Sequence, residues 1–180
     1  MADPMDDLEF AVEHDVPIPY INRISTYYQT LGYGKPYRWA QYTHVPFTKL
    51  KKPLKDSRIS LITTAAPYQP GKGDQGPGAP YNSAAKFYRV YTDSIEGEPD
   101  VRVSHIGIDR KHTTATDSNT WFPLKQLKRL AAEGRIGEIA PDFIGAPTNR
   151  SQKATIEQDG ADILAHVRSA GSDVAVIVAN

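Results

Sequence analysis

Residues 173–180 read DVAVIVAN, an uninterrupted apolar run from Val174 to Ala179 between an aspartate and an asparagine. A run this short and this uniformly apolar has the composition of a strand buried on both faces, as in a parallel sheet. Working back along the chain, RISLITT (58–64) is a second compact β-rich run. DVRVSHIGI (100–108) is a third, with alternation through Val101, Val103 and His105. Helical signals separate them. PLKQLKRLAAEG (123–134) places Leu124, Leu127 and Leu130 on one face, with Pro123 tolerated in the first turn and Gly134 as the C-terminal stop. SQKATIEQDGADILAHVRSAG (151–171) predicts a longer helix interrupted near Asp159-Gly160, with Ile163, Leu164 and Val167 as its apolar face and Gly171 as its end. Strands separated by helices of this length imply crossover connections. The expected fold is a doubly wound α/β domain: a mainly parallel sheet with helices on both faces, a three-layer sandwich.

The first 57 residues read differently. Two proline motifs, VPIPY (16–20) and KKPLKD (51–56), flank a tyrosine-rich segment in which Ile21, Ile24, Tyr27, Tyr28 and Leu31 recur at helical spacing before Gly32. The expected organisation is an irregular arm with one short helix over 1–57 and an α/β domain over 58–180. An aromatic stripe of this kind packs an arm onto its own domain more often than it stacks on a base or flat cofactor.

Composition excludes several function classes. The 21 basic and 21 acidic residues cancel, so no global field draws nucleic acid or an anionic membrane. There is no cysteine, hence no disulfide framework, thiolate zinc site or thiol nucleophile within these residues. The opening MADPMDDLEFAVEHD is acidic and lacks the basic and apolar segments of a signal peptide, and no apolar run reaches spanning length; the expected compartment is the cytoplasm, away from membranes.

Three loops carry the polar chemistry. AAPYQPGKGDQGPGAPYN (65–82) is dense in glycine and proline, which fixes the backbone while allowing close approach to a ligand; its spacing fits neither the P-loop nor the dinucleotide fingerprint. It reads equally as a rigid structural loop. HIGIDRKHTTATDSNTWFP (105–123) contains His105, Asp109 and His112, residue types that suit zinc or iron, although their spacing is not helical. Asp109 and His112 could instead orient a polar substrate or transfer protons, and an Asp/Asn network capping the next helix is the plain alternative. GAPTNRSQ (145–152) offers Thr148, Asn149 and Ser151 as N-caps, with Arg150 beside free helix N–H groups.

Taken together, RISLITTAAPYQPGKGDQGPGAPYN, SHIGIDRKHT, DSNTWFPL, GAPTNRSQ and VAVIVAN resemble the selenoprotein B component of glycine, sarcosine, betaine and D-proline reductases. The likeness is closest to the shorter, D-proline-reductase-like members and covers roughly residues 55–180. The resemblance implies reductive cleavage of a carbon–nitrogen bond alpha to a carboxylate, with electrons from a thiol donor and a small amino-acid-like substrate. It also implies a second reductase subunit, on which a pyruvoyl group can capture an amino substrate. In the family the chemistry rests on selenocysteine or cysteine, then two residues, then cysteine, directly after a strand like VAVIVAN. Here that pair is expected at position 181 and three residues later, with 181 a selenocysteine whose codon was read as stop, and no cofactor within these residues.

A selenolate is a low-pKa nucleophile and a neighbouring thiol can resolve its intermediate; without either, this 180-residue stretch is expected to be inactive. The substrate-binding residues expected by position are Asp109, Arg110, His112, Asn149, Arg150 and Asn180. Arg110 or Arg150 would hold a substrate carboxylate through paired charge-assisted bonds. Two rival readings are a metal-dependent hydrolase or lyase built on His105, Asp109 and His112, and a noncatalytic module whose loops and final strand form a partner or homo-oligomer surface.

Overall fold

The computed structural model describes residues 17, 19–34, 42–76, 79–80, 82–103, 111–112, 115–147 and 151–179. The chain forms two compact units, Met1–Val45 and Pro46–Asn180. In the first, helix α1 (Tyr20–Thr30) carries the predicted stripe, and Gly32 follows it with φ +80°. The stripe residues Ile21, Ile24, Tyr27, Tyr28 and Leu31 are exposed, and Tyr28 makes edge contacts with Tyr27 and Tyr33, both with ring centroids 5.6 Å apart.

The second unit is built around β1 (Arg58–Thr63), the RISLIT segment, of which every residue after Arg58 is buried. Along one side of β1 runs β7 (Val174–Val178), parallel and in register from Ile59↔Val174 to Thr63↔Val178. Along the other side lie two short segments end to end. β5 (Glu138–Ile139) pairs in parallel with Arg58 and Ile59, and β6 (Asp142–Gly145) with Ile62 and Thr63. Pro141 separates them because proline donates nothing to the ladder, while Ala140 N–H still reaches Ile59 O at 2.8 Å. β3 (Tyr91–Ser94) closes that flank antiparallel to β6. The sheet is therefore mixed and mostly parallel, with β1 central, as an α/β fold requires.

Helix α2 (Leu124–Ala132) covers one face. Pro123 precedes its first turn, and Gly134 ends it at φ +68°, a left-handed position that an L side chain fills only with strain. Leu124 and Leu127 join Ile59, Leu61, Trp121, Phe122 and Phe143 in the core, where Phe122 and Phe143 pack edge to face with centroids 4.7 Å apart. The second helical stretch is α3 (Gln152–Ala154), a π turn (Thr155–Asp159) and α4 (Gly160–Ser169), whose last turn faces the other side of the sheet. The expected interruption near Asp159-Gly160 is thus a widened turn within one helical run, the usual form of a single-turn π-bulge. α4 lies loosely: it buries no residue, and a cavity of about 210 Å³ separates His166 and Ser169 from Ser60, Thr92 and Ile144.

The DVAVIVAN strand departs from its expected environment. Its pairing alternates faces, so Val174, Val176 and Val178 pack against the α2-side core, whereas Ala175 is exposed and Ile177 is 70 % exposed. Among the described residues β7 pairs only with β1, and α4 does not reach across it. Of the third expected strand, 104–108 lie outside the described residues; within the described part, Val101–Arg102 forms β4, which pairs antiparallel with β2 (Ala66–Pro67) in a separate two-stranded ladder.

Polar links tie down the amino end of the sheet. Arg58 donates to Glu138 Oε1 at 2.8 Å and to Ala170 O at the end of α4 at 2.7 Å, while its backbone N–H meets Asp173 Oδ2 at 2.8 Å. Lys52 pairs with the same carboxylate at 2.7 Å. These two donors hold the Asp173 carboxyl below the usual carboxylate range. Among the described residues no helix is long and apolar enough to cross a membrane.

Candidate functional site

The carboxyl ends of β1, β6 and β7 meet at Thr63, Gly145 and Val178, the position where open parallel sheets bind ligands. Backbone bonds weld the three ends together, from Ala146 N–H to Thr63 O at 2.7 Å and from Thr64 N–H to Val178 O at 3.2 Å. Thr63 is fully buried. Its hydroxyl donates to Trp121 O at 2.8 Å and accepts from Ala65 N–H at 3.1 Å, fixing both the turn after β1 and the start of the TWFP segment.

Tyr91 lies across this edge. Its hydroxyl donates to Ala65 O at 2.9 Å, and its ring stacks edge-on against Phe87 at 5.2 Å and Phe143 at 5.9 Å. The ring occupies the space where a side chain at 145 would project, so only glycine fits beneath it. Burial, and secondarily the charge of Asp93, push the phenol well above its ordinary value, so it stays a hydrogen-bond donor.

The loop after β1 is locked by its own amides. Gln75 is buried and donates to Gln69 O at 2.8 Å, while its Oε1 accepts from Gln69 N–H at 3.0 Å. Gln69 donates to Ala85 O at 2.6 Å, and Asn82 to Lys72 O at 2.6 Å and Asp74 O at 3.0 Å. Beside it, Arg102 grips Asp100 with two bonds and stacks 4.9 Å over the Tyr68 ring. The stacked, neutralised guanidinium braces β4 against the loop.

Of the residues expected to bind substrate, Asp109, Arg110, Asn149, Arg150 and Asn180 lie outside the described residues, as does His105; His112 is exposed. Among the described residues no group of three or more His, Asp or Glu side chains converges as a metal site. Ser151 caps the helix after β6, accepting from Ala154 N–H at 3.3 Å. Asp117 accepts from Asn119 N–H at 3.0 Å and caps the short 3-10 turn Ser118–Thr120, one element before the helix that the Asp/Asn network was expected to cap. Sequence reasoning missed Thr63, Tyr91 and Trp121 as organisers of the edge. The Thr-Thr pair closing RISLITT and the Trp in TWFP were visible, but nothing local marked Tyr91.

The family model for the glycine/sarcosine/betaine reductase selenoprotein B matches residues 28–180. A curated relative, D-proline reductase subunit gamma of Acetoanaerobium sticklandii, is 31 % identical over 135 residues, 74 % of this chain and 52 % of that protein. The chain thus spans about half the length of the curated relative it matches. No solved structure matches. With a matched segment that takes in every element of the α/β unit, the chain belongs to the glycine/sarcosine/betaine reductase selenoprotein B family.

Proposed function

We propose that this chain is part of the substrate-reducing subunit of a glycine, betaine or D-proline reductase-type enzyme. The observation that carries the reading is the family match over residues 28–180, supported by the relative's name as a D-proline reductase subunit. The reaction would cleave a carbon–nitrogen bond alpha to a carboxylate: two electrons and two protons enter the substrate, and a dithiol donor is oxidised to its disulfide. The chain holds no cysteine, so the selenocysteine or cysteine pair belongs to the part of the subunit that these residues do not span. A partner subunit, with a pyruvoyl group for amino substrates, completes the assembly.

In that scheme the described residues are the frame. Thr63, Tyr91 and Gly145 hold three strand ends at fixed spacing, and the amide-locked 65–82 loop walls one side. Asp109, Arg110, His112, Asn149, Arg150 and Asn180 remain the proposed substrate contacts, with an arginine for the carboxylate. The cytoplasm is the proposed compartment, where thiol donors stay reduced.

The test is dithiothreitol-driven turnover of D-proline, glycine, sarcosine and betaine, followed by mass spectrometry of the ring-opened or deaminated products. The 180 residues alone should give none. The same residues carried in a subunit that includes the Sec/Cys-x-x-Cys segment, with its partner, should reduce at least one. Turnover by the 180 residues unaided would overturn the proposal, as would a complete subunit inert toward all four.

A further inference from the structure

A cavity of about 560 Å³ lies between the Gly97–Val101 segment and the first two turns of α2, within the size range of small-molecule sites. Its floor is apolar and aromatic: Val101, Trp121, Phe122 and Leu124 line it, each no more than 8 % exposed. Its rim carries two lysines and one carboxylate, Glu98. Lys125 and Lys128 project from successive turns of α2. Lys125 pairs with Glu98 at 3.2 Å, but both side chains are largely exposed, so that bond is weak and easily exchanged. Lys128 is half-buried, and its ammonium meets only the Gly97 carbonyl oxygen, at 3.4 Å, among the described residues. Among the described residues that charge therefore has no counter-ion beside its apolar floor.

A cation of this kind over an aromatic base selects an anion with an apolar body. The neighbouring cavity of about 200 Å³, on the other side of Trp121, does not compete, because its guanidinium, Arg102, is already held by Asp100. We infer that the cavity between residues 97–101 and α2 is a binding site for a small organic carboxylate with a ring-sized apolar body: Lys128 and Lys125 hold the carboxylate, and Trp121 and Phe122 the ring. The carboxylate replaces Gly97 O at Lys128 and Glu98 at Lys125. The site stands on the cavity's own geometry and goes beyond the reductase reading.

Three probes with one body and different charge test it: phenylacetate, 2-phenylethanol and phenethylamine. The chain has two tryptophans, so Trp39→Phe leaves Trp121 as the single reporter, read by fluorescence and by its indole N–H resonance. Phenylacetate should bind saturably near about 1 mM, the affinity expected of roughly ten heavy atoms. 2-Phenylethanol should bind at least tenfold more weakly, and phenethylamine should give no saturable change. Lys128→Gln should weaken phenylacetate at least tenfold with an unchanged melting temperature, and Lys128→Arg should retain it. High salt should weaken phenylacetate and spare 2-phenylethanol. Equal affinity for the three probes, no saturation by about 50 mM, or full binding by a folded Lys128→Gln variant would overturn the site. None of these outcomes bears on D-proline or glycine turnover, so the two readings fail separately.

Discussion

A Cβ placed on Gly145 would fall inside the Tyr91 ring, and the ring cannot retreat because Phe87 and Phe143 flank it and its hydroxyl is bound to Ala65 O. Gly145→Ala should therefore cost about 3 kcal/mol by urea denaturation, an overpacking penalty. In a Tyr91→Ala background the same change should cost about 1 kcal/mol or less, a coupling that a double-mutant cycle measures directly. Tyr91 also sets an alkaline limit. Its folded-state value is raised, chiefly by burial, so the stabilisation it gives as a neutral phenol is complete below about pH 10 and lost as pH rises beyond it. Absorbance titration should show one of the ten tyrosines ionising late and together with unfolding, and Tyr91→Phe should remove that late step. Neither residue stood out in the sequence. Gly145 reads as one more loop glycine in GAPTNRSQ, and Tyr91 as one of many tyrosines, because the fact that matters is their register across an antiparallel pair. The expected substrate-binding residues Asp109, Arg110 and His112 are conspicuous by type, but Asp109 and Arg110 lie outside the described residues, and side-chain convergence depends on backbone path, which composition does not encode.

Helices α2 and α4 look alike on paper, each a ten-residue-scale amphipathic segment ended by glycine, and they differ in how much they bury. Leu127 of α2 is 8 % exposed in the core, whereas Leu164 of α4 is 45 % exposed. Leu127→Ala should cost about 3 kcal/mol through lost transfer energy and a residual cavity. Leu164→Ala should stay within about 1 kcal/mol; thermal melts of the two variants side by side check the contrast. Both helices and their stops were legible, since leucine periodicity and a C-terminal glycine are local signals. The sheet was legible only in part. RISLITT announces itself as a compact β-rich run and VAVIV as an unbroken apolar one. β5 and β6 escaped because Pro141 splits one strand position into two pieces too short to show a period, and β3 because an antiparallel edge strand reading Tyr-Thr-Asp-Ser carries one apolar residue. DVRVSHIGI is described only at its start, where Val101–Arg102 pairs with the 66–67 segment in a second, two-stranded ladder.

At the scale of the molecule the sheet is asymmetric. One flank ends in β3, short and polar, with Asp93 and Ser94 exposed. Among the described residues the other ends in β7, five uncharged residues, four of them valine or isoleucine, with no proline, lysine or bulge along them, the devices by which edge strands avoid pairing with other chains. Its outward face compounds this, since Ile177 is 70 % exposed where α4 leaves it uncovered. The composition that made DVAVIVAN look like an interior strand is therefore real, and what differs is that no described residue pairs along its far side. Such an edge templates association in the micromolar range. The 180 residues should sediment faster as concentration rises from about 1 to about 100 μM. Ile177→Lys should hold them monomeric across that range, because a charge on the exposed face blocks strand addition while a site this open costs little, within about 0.5 kcal/mol, in folding. Val176→Lys, on the core-facing side of the same strand, should instead lower the melting temperature, which separates an effect on association from an effect on the fold. A wild-type chain that stays monomeric throughout would mean that the β7 edge is closed to pairing.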